Sequence, residues 1–131
     1  MFVFIRSQDI REMEIGLSSN RELLFCSEFE ASPEDHLRLL NQVLEENKVL
    51  KEDIEGIYIV TGPGSFTASR VSITIANTLA FTLDVPVFEI QNQEKKTISE
   101  FFDKVSKNGI SPTEFAKPFY DRLPMITQEK R

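Results

Sequence analysis

The sequence predicts an α/β fold: one mixed five-stranded sheet with helices on both faces. Three observations predict it. Short apolar runs rich in β-formers recur at 2–6, 57–60 and 85–90, as buried strands do. Between and after them, apolar residues recur with helical spacing. A tight Gly-Pro-Gly-Ser turn at 62–65 leads from one of the strands into the longest of the helical stretches.

The elements follow in order. Residues 2–6 read as a buried strand. Residues 12–17 alternate and read as a second strand, in which Gly16 marks a bulge or a close backbone approach. Ser18-Ser19-Asn20 is a turn. Residues 21–29 read as a third strand, with Leu24 and Cys26 on one face and Leu23 and Phe25 on the other. The three suggest an antiparallel meander. Ser32-Pro33-Glu34-Asp35 opens a helix that runs to about Lys48: Ser32 is placed to cap, Pro33 suits the first helical position and Asp35 the capping-box acid. Leu37, Leu40, Val43 and Leu44 form its apolar stripe. A second helix spans 67–83. Pro86 marks the fifth strand as an edge or a strand start. Ile98, Phe101, Phe102 and Val105 give a third helix, ended by Asn108-Gly109. A meander followed by two strand–helix units is the layout of a single lobe of the ribonuclease-H-like, actin-like ATPase fold. Residues 1–110 are read as that lobe. Residues 111–131, with Pro112, Pro118 and Pro124, are read as an extended tail docked through Phe115, Phe119 and Tyr120.

Composition narrows the function. The chain has 131 residues, which suits one domain with a sizeable core. Its net charge of −6 withholds the counterion-release term that drives binding to phosphate backbones, so direct nucleic-acid binding is not expected. Short basic pairs at Lys95-Lys96 and Lys130-Arg131 read as solvated surface. One cysteine, Cys26, excludes an internal disulfide and suits a reducing compartment. No apolar run is long enough to span a bilayer, and the apolar start lacks the flanks of a signal peptide. A cytoplasmic location with protein partners or small ligands is the expectation.

No catalytic constellation stands out. The only histidine, His36, sits in the first turn of the first helix and reads as a helix-surface or helix-contact residue. One His and one Cys make no typical metal site, and Cys26 within a strand reads as an inert thiol. No cofactor and no metal are expected.

The most informative stretch is Gly62-Pro63-Gly64-Ser65-Phe66-Thr67-Ala68-Ser69-Arg70-Val71. The glycines allow a sharp turn, Pro63 stiffens it, and Ser65 or Thr67 is placed to cap the helix. The helix start exposes backbone N–H groups, which suits an anion or a partner contact. No Lys follows the last glycine as a Walker A loop requires. The string closely resembles the Gly-Pro-Gly-Ser-Phe-Thr-Gly-x-Arg-[Ile/Val]-Gly signature of the TsaB family, also called YeaZ. Ser32 to Leu40 with His36 resembles that family's acidic-His-x-x-x-Leu helix start. Ile54-Glu55-Gly56-Ile57 resembles its lead-in to the fourth strand, and Pro118-Phe119-Tyr120-Asp121-Arg122 its C-terminal Pro-x-Tyr-x-Arg.

The resemblance implies a non-catalytic scaffold that supports a TsaD-like protein in threonylcarbamoyl transfer to adenosine of tRNA, with a TsaE-like protein in the same complex. It implies pairing through the first two helices, with TsaD or with a second copy, over Leu37, Leu40, Leu44, Ile73, Asn77 and Phe81. The loop residues Gly62, Pro63, Gly64, Ser65, Phe66, Thr67 and Arg70 would be its anion or partner contact. Three departures stand out. The segment 91–118 is too short for the family's second lobe. Arg6 stands where the family's first strand carries an Asp that organises phosphates and metal. Ala68 and Ser72 replace helix glycines. These leave open a homodimeric, degenerate paralogue with a structural or regulatory role, or a residual anion binder in which Arg6 assists the loop.

Overall fold

A computed structural model describes residues 1–113 and 116–117. The five strands are β1 (Phe2–Arg6), β2 (Glu12–Ser19), β3 (Glu22–Glu30), β4 (Gly56–Gly62) and β5 (Val87–Gln91). They form one sheet in the order β3-β2-β1-β4-β5. The pairs β1–β2 and β2–β3 are antiparallel, while β1–β4 and β4–β5 are parallel, so the sheet is mixed. The helices are α1 (His36–Glu46), α2 (Phe66–Leu83) and α3 (Ile98–Asn108).

Strand periodicity sorts the core into two layers. Val3, Ile5, Ile15, Leu17, Ile57 and Ile59 pack on one face with Leu40, Val43 and Leu44 of α1 and Ile73, Ala76 and Ala80 of α2. On the other face Phe4, Val60 and Ile90 meet Ile98, Phe101 and Phe102 of α3. Helices therefore cover both faces. An aromatic row also crosses the second face: Tyr58 stacks between Phe4 and Phe88, at centroid distances of 4.4 and 4.5 Å.

α1 differs from expectation at both its start and its stripe. Ser32 opens a 3₁₀ turn, Pro33–Asp35, and the α-helix proper starts at His36. The Ser32 hydroxyl bonds the carboxylates of Glu34 and Asp35 and not a backbone N–H. Leu39 takes the place expected of Leu37, which is 55% exposed. β3 also differs. Its register slips opposite Leu17 and Ser18, a β-bulge that places Leu24 between the pairs Leu17–Phe25 and Ser18–Leu23. Leu23 and Cys26 therefore share the α3 face, Phe25 points to the other, and Leu24 is left exposed. The close approach at Gly16 is real: a Cβ there would meet the Ile98 side chain at 3.1 Å. β5 begins after Pro86, at an edge.

α2 packs through a stripe of small residues. Ala68, Ser72, Ala76 and Ala80 are all buried at four-residue spacing. Ala68 and Ser72, which replace glycines of the resembled motif, thus still allow close approach. Asp84 ends the helix in the left-handed conformation. α3 opens with a full capping box between Thr97 and Glu100. Residues Phe115, Phe119 and Tyr120, expected to dock the tail, lie outside the described residues.

Candidate functional site

In open α/β sheets, ligand sites form beyond the carboxyl ends of the parallel strands. Here those ends are Ser7-Gln8 after β1, Gly62–Ser65 after β4 and Asn92 after β5. The start of α2 faces the same region.

The geometry is closed. Gln8 is fully buried, and its Nε2 donates to the carbonyls of Pro63 (2.6 Å) and Asn92 (2.8 Å). Asn92 Nδ2 donates back to Gln8 Oε1 at 2.8 Å and to the Lys96 carbonyl at 2.7 Å. The Asn92 N–H donates to the Gly62 carbonyl, and Ser65 N–H to the Gln8 carbonyl. Every amide atom of the Gln8 and Asn92 side chains has a protein partner, as buried polar groups require. The loop fits only with glycine at 64. Its φ is +157°, and a Cβ would lie 2.8–2.9 Å from Gln8 Cβ and Cα, with the Gln8 carbonyl closer still. Ser65 caps α2 through its Oγ and the Ala68 N–H. Thr67 and Arg70 lie exposed on the first turns of α2. The backbone of the signature loop is thus turned inward, onto Gln8.

Arg6 lies on the α3 face of the sheet and is 3% exposed. Its Nε donates to Glu14 at 2.6 Å, and its two terminal nitrogens to Glu12 (3.1 Å) and Glu28 (3.2 Å). All three guanidinium nitrogens therefore meet carboxylates, which overturns the expected assistance of Arg6 to an anion at the loop. Although burial opposes its charge, the hydrogen bond and attraction of Glu14 prevail and hold the guanidinium protonated. Glu14, 2% exposed, also accepts the first N–H of α3, from Ile98, at 2.9 Å. Cys26 Sγ donates to its other oxygen at 3.2 Å. Burial, then this carboxylate, pushes the thiol up to about 12.

His36 is a contact residue and not a surface one. It is fully buried, with Nε2 3.4 Å from Ser7 Oγ and Nδ1 without a partner. Ser7 Oγ donates to the Glu12 carbonyl, so the imidazole Nε2–H is the donor toward Ser7. Burial lowers the His36 pKa. Among the described residues, no group of His, Cys, Asp and Glu could hold a metal ion. No helix there is long and apolar enough to cross a membrane.

The expected interface residues divide. Leu40, Leu44 and Ile73 are buried in the core, since α1 and α2 turn these positions to the sheet, and they are withdrawn from any contact surface. Leu37 and Phe81 (89% exposed) remain outside. Asn77 is engaged within the chain: its side chain donates to the Ala116 carbonyl and accepts the Ala116 N–H. Sequence reasoning passed over Gln8, Glu14 and Asn92. For Gln8 and Asn92 the available signal was a carboxamide just past each of two parallel strands.

Comparison with known proteins places the chain. Residues 31–108, more than half of it, match the TsaD family, described as tRNA N6-adenosine threonylcarbamoyltransferase. The TsaB protein of Bacillus subtilis, a tRNA threonylcarbamoyladenosine biosynthesis protein, is 33% identical over 55 residues, 42% of this chain and 24% of that protein. The tRNA N6-adenosine threonylcarbamoyltransferase of Tropheryma whipplei is 29% identical over 72 residues, 55% of this chain and 18% of that protein. YeaZ from Pseudomonas aeruginosa superposes with a TM-score of 0.62 at 20% identity, over 70% of this chain and 43% of that one. The chain spans about a quarter or less of the length of these curated relatives. With its ribonuclease-H-like, actin-like sheet and its Gly62–Arg70 signature, the chain belongs to the TsaD family and is TsaB/YeaZ-like.

Proposed function

We propose that this chain is a non-catalytic partner protein in tRNA threonylcarbamoyladenosine biosynthesis. The observation that carries this reading is the closed carboxyl end of the parallel strands, where Gln8, Asn92 and the 62–65 loop satisfy one another. A ligand entering there must break bonds that are already made. Arg6 supports the same reading, because a guanidinium held by three carboxylates ligates no cation.

The surface available for a partner is the outer side of α1 and α2. Leu37 and Phe81 expose apolar side chains there, and exposed large side chains of this kind anchor interfaces. In this reading the chain pairs through α1 and α2 with a TsaD-like protein, a TsaE-like protein joins the same assembly, and the chain acts in the cytoplasm without contacting RNA itself. Residues 1–110 supply the lobe and 111–131 the tail.

The test is light-scattering mass on the chain alone and after mixing with the TsaD protein of the same organism. A one-to-one mixed complex supports the reading. A self-dimer that TsaD leaves unchanged replaces it with a homodimeric paralogue. Threonylcarbamoyl transfer to tRNA by the chain alone would refute the non-catalytic role.

A further inference from the structure

Of the described helices α1, α2 and α3, only α1 starts without a side-chain cap. Ser65 caps α2 and Thr97 caps α3. Neither Ser32, before the 3₁₀ turn, nor Asp35, before α1, offers its side chain to a backbone N–H. The start of α1 is seated by another means, the side chain of its first residue. The His36 ring is fully buried and sets its Nε2–H 3.4 Å from Ser7 Oγ. The Ser7 carbonyl in turn accepts the Ser69 hydroxyl of α2 at 3.5 Å. The end of β1, the start of α1 and the first turns of α2 thus meet at Ser7, through contacts that are all long.

This seat accepts a neutral ring and opposes a charged one. Nδ1 is buried without a partner, so a proton added there becomes a donor with no acceptor. The ring also lies in the first turn of α1, at the positive end of the helix dipole, where a cation is disfavoured. Charged groups on the surrounding elements give little relief. Asp35 favours the charged ring, but burial outweighs it, and Arg38 of α1 draws on the same carboxylate at 3.6 Å. Glu34 accepts from Ser32, and Arg70 of α2 is exposed. Arg6 of β1 is engaged with Glu12 and Glu14 of β2 on the α3 face of the sheet.

We propose that His36 is an acid-released latch: the neutral ring seats the start of α1, and its protonation frees residues 33–40 from β1 and α2 while the sheet stays folded. The freed segment takes up the proton near the ordinary histidine value of about 6.5, and the seated one resists it. Opening therefore rises by up to about tenfold per pH unit below that value, until the seated ring itself titrates. Leu37 lies in the freed segment. On the partner reading given above, pairing through α1 weakens on the same acid side, but the latch itself requires no partner.

Amide hydrogen exchange on the full chain alone, corrected for the chemical rate at each pH, tests this. A peptide covering 31–41 is followed between about pH 7 and about pH 5, with and without dilute urea, beside one covering 57–60 of β4. The latch predicts that opening of 31–41 rises by up to about tenfold per pH unit and depends little on urea, because little surface is exposed, whereas exchange in 57–60 depends strongly on it. In His36→Gln, which takes up no proton, opening of 31–41 loses its pH dependence. Independently of that variant's folding, the one histidine of the wild type gives a single imidazole Cε1–H resonance, expected to titrate well below about 6.5. A ring that titrates at about 6.5 in the folded chain overturns the proposal. So does a pH dependence that persists in His36→Gln. Opening of 31–41 with the urea dependence of 57–60 also overturns it, since the segment then opens only with the whole fold.

Discussion

Arg6 Nε and Glu14 Oε1 lie 2.6 Å apart, and both side chains are almost wholly withdrawn from water. The same Glu14 oxygen accepts the Ile98 N–H that opens α3. The pair thus joins β1, β2 and α3 through one carboxylate.

Breaking this pair is expected to be costly. Glu14→Ala strands a buried guanidinium with two half-exposed partners, Glu12 and Glu28, and removes the acceptor for Ile98. A loss of about 3–5 kcal/mol in urea unfolding is expected, whereas the double replacement Arg6→Met, Glu14→Leu should lose much less. A single variant as stable as wild type would mean that the pair is hydrated.

His36 sets a pH dependence of known sign. Burial lowers its pKa in the fold, against about 6.5 when unfolded. Above that value both states hold a neutral ring. As pH falls below about 6.5, the unfolded chain takes up a proton that the fold resists, so stability falls by at most about 1.4 kcal/mol per pH unit until the folded pKa is reached. Since this is the only histidine, His36→Phe should flatten the profile just below about pH 6.5. An unchanged slope would contradict the assignment.

The glycines at 64 and 109 should respond differently to alanine. At Gly109 (φ +71°, ψ 160°) a Cβ meets nothing, so only the positive-φ, extended-ψ backbone opposes it, at about 1–3 kcal/mol. At Gly64 it lands on the Gln8 backbone as well. Thermal melts should rank Gly64→Ala well below Gly109→Ala, and the reverse order would argue against the packing of loop on Gln8.

Phe81→Ser separates folding from association. The ring is outside the core, so unfolding free energy should stay within about 0.5 kcal/mol of wild type. The affinity for a TsaD-like partner should fall by roughly tenfold or more. Unchanged affinity, by titration calorimetry, would move the interface off α2.

Cys26 should resist alkylation. Raised from 9.0 to about 12, the thiol holds roughly a thousandfold less thiolate at neutral pH. Glu14→Gln, which removes the adjacent negative charge, should speed the reaction with iodoacetamide. A wild-type rate equal to that of a free thiol would show that the site opens readily.

Where period and composition carry the information, the sequence was readable. The order of strands and helices follows from apolar runs of two periods, and the start of α2 from Ser65. Features that rest on contacts distant in sequence were not. The bulge at Leu24 depends on the partner strand, and Leu39 replaces Leu37 because of where α1 meets the sheet. Gln8 and Asn92 are ordinary polar residues until the parallel strands bring them together from 84 positions apart. Arg6 showed its charge reversal in sequence, but its three carboxylates come from β2 and β3 through pairing alone.

The hold of Glu14 on Ile98 bears on the order in which the molecule is made. The β1–β2–β3 meander precedes α3 in the chain, so Arg6 and Glu14 are made before the helix that covers them. The helix that encloses them starts 84 positions after Glu14. Until it arrives, the meander lacks its lid and the carboxylate lacks one of its donors. Completion of this face of the sheet therefore waits for α3, and a chain interrupted before Ile98 leaves β1, β2 and β3 with a charged, uncovered surface.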